Sequence, residues 1–241
     1  MHNMDKLAAG AAALGLTLED RQLKQFALFC EELENWNRRA NLTSITGSEE
    51  VQVKHFLDSL TIAPLLQKME RADFRLIDIG TGAGFPGIPL KIVYPDIRLA
   101  LLEATGKKTA FLSHLVSLLG LEDVAVINSR AEDAAHDPAL RESFDMAAAR
   151  AVAPLSALVE LALPFCCTGG FFIAQKKGDI KAEVAGAQKA VSVLGGTLEE
   201  MKQVMLPGLE DDRQLIVIRK IRPSPPRYPR RPGIPLKRPI A

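Results

Sequence analysis

The sequence predicts an α/β protein built on a seven-stranded, mostly parallel sheet, with an antiparallel terminal hairpin and an N-terminal helical extension. Three observations lead there. From Phe74 onward, short apolar runs alternate with segments of helical period, the pattern of parallel βαβ units. A glycine-rich turn, Gly80-Thr-Gly82-Ala-Gly84-Phe-Pro-Gly87, directly follows the first of these runs. The last two strand-like runs, 197–206 and 214–219, are joined by Pro207-Gly208 and an acidic loop. No helix long enough for a parallel crossover fits between them, so they pair as a hairpin at the sheet's edge.

Taken in order, residues 1–70 read as the helical extension. Leu23, Phe26, Cys30, Leu33 and Asn37 mark one face of a helix that Thr17 is placed to cap. A second helix is expected from about 48 to 60, carrying Val51, His55 and Asp58. Residues 71–221 form the α/β domain, with strands at 74–79, 97–103, 124–128, 144–149 and 171–175 before the hairpin. Helices are expected at 107–119, 155–163 and 180–194, and Gly169-Gly170 as the loop that leads into the fifth strand. Residues 222–241 form a basic, proline-rich tail.

Composition narrows the setting. A chain of 241 residues with 47% hydrophobic content can bury a sizeable core. Cys30, Cys166 and Cys167 lack metal-ligand spacing, and their odd number argues against a disulfide framework, so no metal is expected. The Ala/Leu-rich stretch 7–18 is preceded by Asp5, interrupted by Gly10 and Gly15 and followed by Glu19-Asp20, unlike a signal peptide. No apolar stretch is long enough to span a membrane. A cytoplasmic monomer is the expectation.

The net charge of +1 hides an asymmetry: 219–241 holds eight basic residues and no acid, against 22 basic and 29 acidic groups elsewhere. A basic tail on an acidic body points to a polyanionic partner. Seven of the fifteen prolines lie in that tail, so it is expected to be extended.

Two cofactor classes can claim the glycine turn, because Gly82-Ala-Gly84-Phe-Pro-Gly87 also satisfies the dinucleotide pattern. Glu103, at the end of the next apolar run, suits ribose hydroxyls in either case. Asp78 separates them. A carboxylate facing the ligand at the strand's end repels a pyrophosphate and attracts S-adenosylmethionine, which carries an ammonium and a sulfonium. The terminal hairpin points the same way, since Rossmann-like methyltransferases end their sheets so. Ala131 and Glu132 follow the third strand, where a backbone amide and a carboxylate suit the adenine edge. Arg150, at the end of the fourth strand, is placed to grip the methionine carboxylate or a substrate base. Phe85 packs either on the ligand or on the sheet.

The acceptor is read from what the chain lacks. No Asn/Asp-Pro-Pro-aromatic motif follows the fourth strand, and Cys166 and Cys167 fall late in an apolar helix, where burial is expected. No histidine–aspartate pair is evident beside the pocket; His114 reads as mid-helix and His136 as part of a loop. A nitrogen with a free lone pair, such as guanine N7, needs no general base, so no catalytic side chain is expected and alignment carries the rate.

The ordered motifs resemble the ribosomal small-subunit methyltransferase G family, also called the glucose-inhibited division protein B family. They are Trp36-Asn37 with Asn41-Leu-Thr-Ser44, His55-Phe-Leu-Asp58-Ser-Leu60, Asp78 to Leu90, Arg130-Ala-Glu132, Arg150-Ala-Val-Ala153 and Arg213-Gln-Leu-Ile-Val-Ile218. The resemblance implies methylation of N7 of a guanosine in 16S ribosomal RNA, in the decoding-region loop of the small subunit. The cofactor would be S-adenosyl-L-methionine and the product S-adenosyl-L-homocysteine. The resemblance also implies cofactor contacts from Gly80, Phe85, Ala131, Glu132 and Arg150. The chain departs from it at Glu103, commonly Asp in the family, and at Arg213-Gln214, often Arg-His. Arg38, Arg39, Lys107, Lys108, Lys176 and Lys177 are candidate phosphate contacts around the pocket, with Arg230 and Arg231 in the tail. An NAD-linked oxidoreductase and a non-catalytic RNA-binding module are the competing readings. The first lacks a substrate domain and an evident hydride-site side chain; the second has little use for the glycine turn together with Glu103.

Overall fold

The computed structural model describes residues 2–67, 73–150, 153–205 and 213–240. Ala151, Val152, the Pro207-Gly208 joint and the expected domain boundary near residue 70 lie outside the described residues. Helices α1 (Asp5–Ala13) and α2 (Asp20–Ala40) lead into α3 (Ser48–Val51), a π-helical turn Gln52–Leu57, α4 (Asp58–Leu60) and α5 (Ala63–Leu66). The α/β units follow: β1 (Arg75–Ile79), α6 (Gly87–Val93), β2 (Arg98–Glu103), α7 (Gly106–Leu118), β3 (Val124–Asn128) and α8 (Ala131–Ala134). Then come β4 (Phe144–Arg150), α9 (Leu155–Ala162), β5 (Cys166–Lys177), α10 (Lys181–Val193), β6 (Gly196–Val204), β7 (Arg213–Lys220) and α11 (Ile234–Lys237).

The seven strands lie in the order β3-β2-β1-β4-β5-β7-β6. The first five run parallel, and β7 is antiparallel to both β5 and β6. The expected hairpin is present, with its second strand inserted next to β5.

Alternation along each strand divides the core between two faces. Leu76, Leu99, Leu101, Met146 and Ala148 pack with Phe26, Phe29, Cys30 and Leu33 of α2 and Leu112 and Leu115 of α7. Ile77, Ile79, Ala100, Ala147 and Ala149 pack with Leu158 and Val159 of α9 and Ala187 and Ala190 of α10. The N-terminal helices therefore form one wall of the α/β core. Gln22 Nε2 donates to the Ile92 carbonyl (3.0 Å) and Gln25 Nε2 to that of Leu119 (2.9 Å), supplying donors at the ends of α6 and α7.

Three local expectations are corrected. The α2 cap is Glu19, in a capping box with Gln22, and not Thr17. The helix expected over 48–60 is interrupted by the π-helical turn. Cys166 and Cys167 begin β5 rather than ending a helix, because Pro164 closes the helical run in a short 3-10 turn. Gly169 and Gly170 then lie within β5, where the register shifts between Phe144 and Met146. A Cβ on Gly170 would meet the Asp145 carbonyl at 2.6 Å, so the shift needs glycine.

The terminal segment is also corrected. It is not an extended tail but a folded strap. Tyr228 is buried in the α9/α10 core, and α11 packs on α9. Arg141 donates to the carbonyls of Tyr228 (2.8 Å), Ser224 (3.0 Å) and Ala135 (3.0 Å). The buried Lys220 ammonium donates to the Leu163 carbonyl at 2.7 Å and lies 3.1 Å from Glu142. Proline limits regular helix, yet it does not prevent packing. Tyr228→Ala is expected to cost about 3–5 kcal/mol, the range for emptying a buried aromatic site, read as a lower urea midpoint at constant m-value. An unchanged midpoint would mean that the strap contributes nothing to the fold.

Candidate cofactor site

The carboxyl ends of β1, β2, β3 and β4 converge where open α/β sheets bind ligands. The turn after β1 is tied to β2: Gly80 N and Thr81 N both donate to the Leu102 carbonyl, at 2.9 and 3.2 Å. Gly84 needs its glycine twice over, with φ of 98° and an added Cβ only 2.6 Å from Ile88. At Gly82, with φ of 62°, an added Cβ would meet only the Gly80 carbonyl, at 4.0 Å, so the turn presents bare backbone on that side.

Asp78 does not face the ligand as expected. It shares the Leu76 face of β1 and lies fully buried beneath the turn. Its Oδ2 accepts from Thr81 Oγ1 (2.6 Å) and from Gly87 N (2.7 Å), while Oδ1 has no hydrogen-bond partner. A Cβ at Gly87 would sit 2.9 Å from Oδ2 and 2.8 Å from Leu101, so only glycine fits there. The first amide of α6, which a dinucleotide pyrophosphate would need, is spent on a carboxylate. Negative charge beneath the turn suits a cationic ligand and opposes an anionic one.

Glu103 is fixed by two backbone amides. Its Oε2 accepts from Gly82 N (3.1 Å) and its Oε1 from Thr105 N (2.9 Å), which ties the glycine turn to the start of α7. Each carboxylate oxygen keeps a lone pair for a hydroxyl donor. Ala131 and Glu132 open α8. Glu132 is buried, and its Oε1 accepts from Gly233 N of the strap at 2.9 Å. These groups fit the expected cofactor: an orphaned buried carboxylate oxygen whose charge suits a cationic ligand, a fixed carboxylate for ribose hydroxyls, and a second carboxylate for an amino donor.

Arg150 is held by the broken helix of the N-terminal segment. It donates to His55 Nδ1 (3.1 Å), to Asp58 Oδ2 (3.2 Å) and to the carbonyls of Lys54 and His55, at 3.3 and 3.4 Å. Arg213 Nε donates to the other Asp58 oxygen at 2.6 Å, and Gln175 Nε2 to the Asp58 carbonyl at 2.7 Å. Phe85 packs inward: it stacks with Phe29 (5.1 Å) and His55 (4.5 Å), and the Arg150 guanidinium lies 4.8 Å from its ring centre. A histidine and an aspartate thus do stand beside Arg150, contrary to expectation. Neither is arranged as a base. A guanidinium only donates, so His55 Nδ1 carries the lone pair and Nε2–H donates to Thr43 Oγ1 at 2.8 Å. Burial, with Arg150 next, pushes the His55 pKa down to about 3.

Comparison with known proteins decides the family. Residues 22–216 match the family described as GidB, rRNA small subunit methyltransferase G. The chain is 48% identical over 237 residues to ribosomal RNA small subunit methyltransferase G of Dehalococcoides mccartyi strain CBDB1, covering 98% of this chain and 100% of that protein. It is 49% identical to the protein of that name from Roseiflexus castenholzii, with the same coverage. The chain belongs to the rRNA small subunit methyltransferase G family. Among solved structures, the fold resembles that of M. jannaschii TYW2 in complex with AdoMet, with a TM-score of 0.52 and 13% identity over 68% of this chain and 77% of that one.

Within this methyltransferase, the candidate RNA-contacting cations divide. Lys176 is turned inward, its Nζ 2.6 Å from both the Ala153 carbonyl and Glu183. Arg230 is paired with the fully buried Glu160 at 2.6 Å. Neither is available to a phosphate. Arg38, Arg39, Lys107, Lys177 and Arg231 are exposed, and Lys108 is half-buried. Lys107 and Lys108 lie on the first turn of α7, beside Glu103. Arg38 and Arg39 end α2, next to the Asn37–Thr43 hydrogen bonds that lead to His55. His55, Asp58 and Arg213 have no role assignable from sequence alone; the three-residue spacing of His55 and Asp58 on one helix is the signal that joins two of them.

Asp78 has a pH signature. Burial raises its pKa from 3.8 to about 6, against the pull of its Thr81 and Gly87 donors. The fold therefore holds this proton more tightly than the unfolded chain does. That contribution to stability is complete below 3.8 and is lost as pH rises to about 6, the reverse of an ion-paired aspartate. In urea titrations across this range, wild type minus Asp78→Asn is expected to decline with pH. A flat difference would show that Asp78 does not titrate there.

Proposed function

We propose that this rRNA methyltransferase transfers a methyl group from S-adenosyl-L-methionine to N7 of a guanosine in 16S ribosomal RNA, acting as a cytoplasmic monomer. The observation that carries the N7 reading is the commitment of His55. Both of its ring nitrogens are bonded and its basicity is suppressed, while Asp58 is shared between two arginines. Guanine N7 offers a lone pair with no proton to lose, so it suits a site where the titratable groups beside Arg150 serve position. S-Adenosylmethionine supplies an electrophilic methyl group on a sulfonium; Gly80, Gly82, Gly84, Glu103, Ala131 and Glu132 are the residues we assign to holding it, on a turn that Asp78 braces from beneath. Arg150, fixed by His55 and Asp58, is assigned to positioning the reacting groups, and rate enhancement comes from alignment.

For the RNA, two exposed cations at helix termini are assigned as phosphate contacts: Arg38 at the end of α2 and Lys107 at the start of α7. Among the described residues no helix is long and apolar enough to cross a membrane.

The decisive experiment is labelled methyl transfer to unmodified small-subunit RNA and to small subunits, followed by mapping of the modified base. Label at guanine N7 is expected, with a rate that shows no essential group titrating near neutrality; label on an exocyclic amine or a ribose overturns the assignment. Arg38→Gln and Lys107→Gln are each expected to weaken RNA binding and to flatten the slope of log affinity against log salt by about 0.7. An unchanged slope in either variant removes that residue from the phosphate contacts.

A further inference from the structure

The strap lies beyond the matched region 22–216, yet it is bonded to both ends of α8. At the start of α8, Gly233 N donates to Glu132 Oε1 at 2.9 Å. Past its end, His136 Nε2 donates to the Pro229 carbonyl at 2.8 Å, and Arg141 joins the Ala135 and Tyr228 carbonyls at 3.0 and 2.8 Å. The strap is anchored in turn by Arg230. Its Nε and Nη2 donate to Glu160 Oε1 and Oε2 at 2.9 and 2.6 Å, and its backbone N–H donates to Oε1 at 2.8 Å. Glu160 is fully buried in α9, so this fork holds against a rigid element.

Glu132 is thereby asymmetric. One oxygen is occupied by the strap; Oε2 has no hydrogen-bond partner among the described residues. Gly233 donates from a left-handed conformation, with φ of 81°, and nothing lies within 4 Å of an added Cβ. The direction of its N–H therefore rests on backbone freedom and not on space.

The geometry points to the strap as a positioning element for base recognition: Gly233 and the Arg230–Glu160 anchor fix the Glu132 carboxylate so that its free oxygen meets the exocyclic amine of adenine. The strap would then govern cofactor selectivity, a role distinct from the polyanion binding that its basic composition suggests. This inference rests on the proposed cofactor reading.

Equilibrium binding of S-adenosylhomocysteine and of its 6-oxo counterpart, in which hypoxanthine replaces adenine, tests it in the full chain. Wild type is expected to prefer the adenine ligand on the order of 10-fold, the worth of one hydrogen bond to a charged group. Two variants perturb the strap differently. Gly233→Ala changes only backbone freedom, and Glu160→Gln with Arg230→Met removes the anchor without leaving a buried charge unpaired. Both are expected to lose most of the preference while binding the 6-oxo ligand as wild type does; Arg230→Lys should retain part of it. A preference that survives in both variants overturns the inference, as does equal weakening of both ligands, which marks a general structural lesion. A wild type that binds the adenine ligand without preference overturns the strap's role and leaves the cofactor reading intact. Failure of wild type to bind S-adenosylhomocysteine refutes the cofactor reading itself.

Discussion

The hydrogen bond from Gly87 N–H to the buried Asp78 carboxylate is the constraint on which the site depends. It joins the end of β1 to the start of α6 beneath the glycine turn. It restricts residue 87 to glycine, because any side chain would collide with the carboxylate. It also uses the helix-terminal donor that an anionic cofactor would need. Thr81 makes the second bond to the same oxygen, and Glu103 ties the outer side of the turn through Gly82 N. The turn is thus held from within and without by carboxylates. Its shape and its preference for positive charge have one cause.

A second constraint joins the N-terminal helices to the sheet. Arg150 ends β4 among helical carbonyls, His55 and Asp58, and Asp58 is shared with Arg213 of β7. Removing any member would leave a buried charge or donor without its partner. The π-helical turn places the Lys54 and His55 carbonyls within reach of the guanidinium. Phe29, Phe85 and His55 stack beside it, so the aromatic core of the extension reaches the pocket wall. The extension is therefore a structural part of the candidate site, and the apolar face of α2 that its period marks is what seats it on the sheet.

Legibility followed the range of the interactions. Strand–helix alternation, the glycine turn and the terminal hairpin are local signals, and the sheet was readable from them. Asp78, Glu103 and Arg150 were readable as strand ends because parallel sheets bring those ends together. Asp58 and Arg213 meet across 155 residues, and no local pattern reports that pairing. His55 was visible on a helix face, but not that this face meets the end of β4. Gly169-Gly170 looked like a loop because glycine marks both loops and register shifts. The orientation of Asp78 was misjudged for a simpler reason: the end of a strand has two faces, and the Leu76 alternation assigned its side chain to the covered one.

The charge asymmetry at the chain's end has two physical readings. Eight basic residues in 219–241 against an acidic body imply either an external polyanion or internal pairing. The decision lies with the acids. Glu160 is fully buried and Glu132 nearly so, and buried carboxylates require donors. Those donors come from the terminal segment, Arg230 for Glu160 and Gly233 N–H for Glu132, and Lys220 with Ser224 N–H also meets the half-buried Glu142. Part of the body's acidic excess is therefore answered by the chain's own end. Lys220 and Arg230 count toward the basic run and yet present no free charge to a partner. Arg38, Arg39 and Lys107, which are exposed, lie instead at helix termini, outside the densest basic stretch.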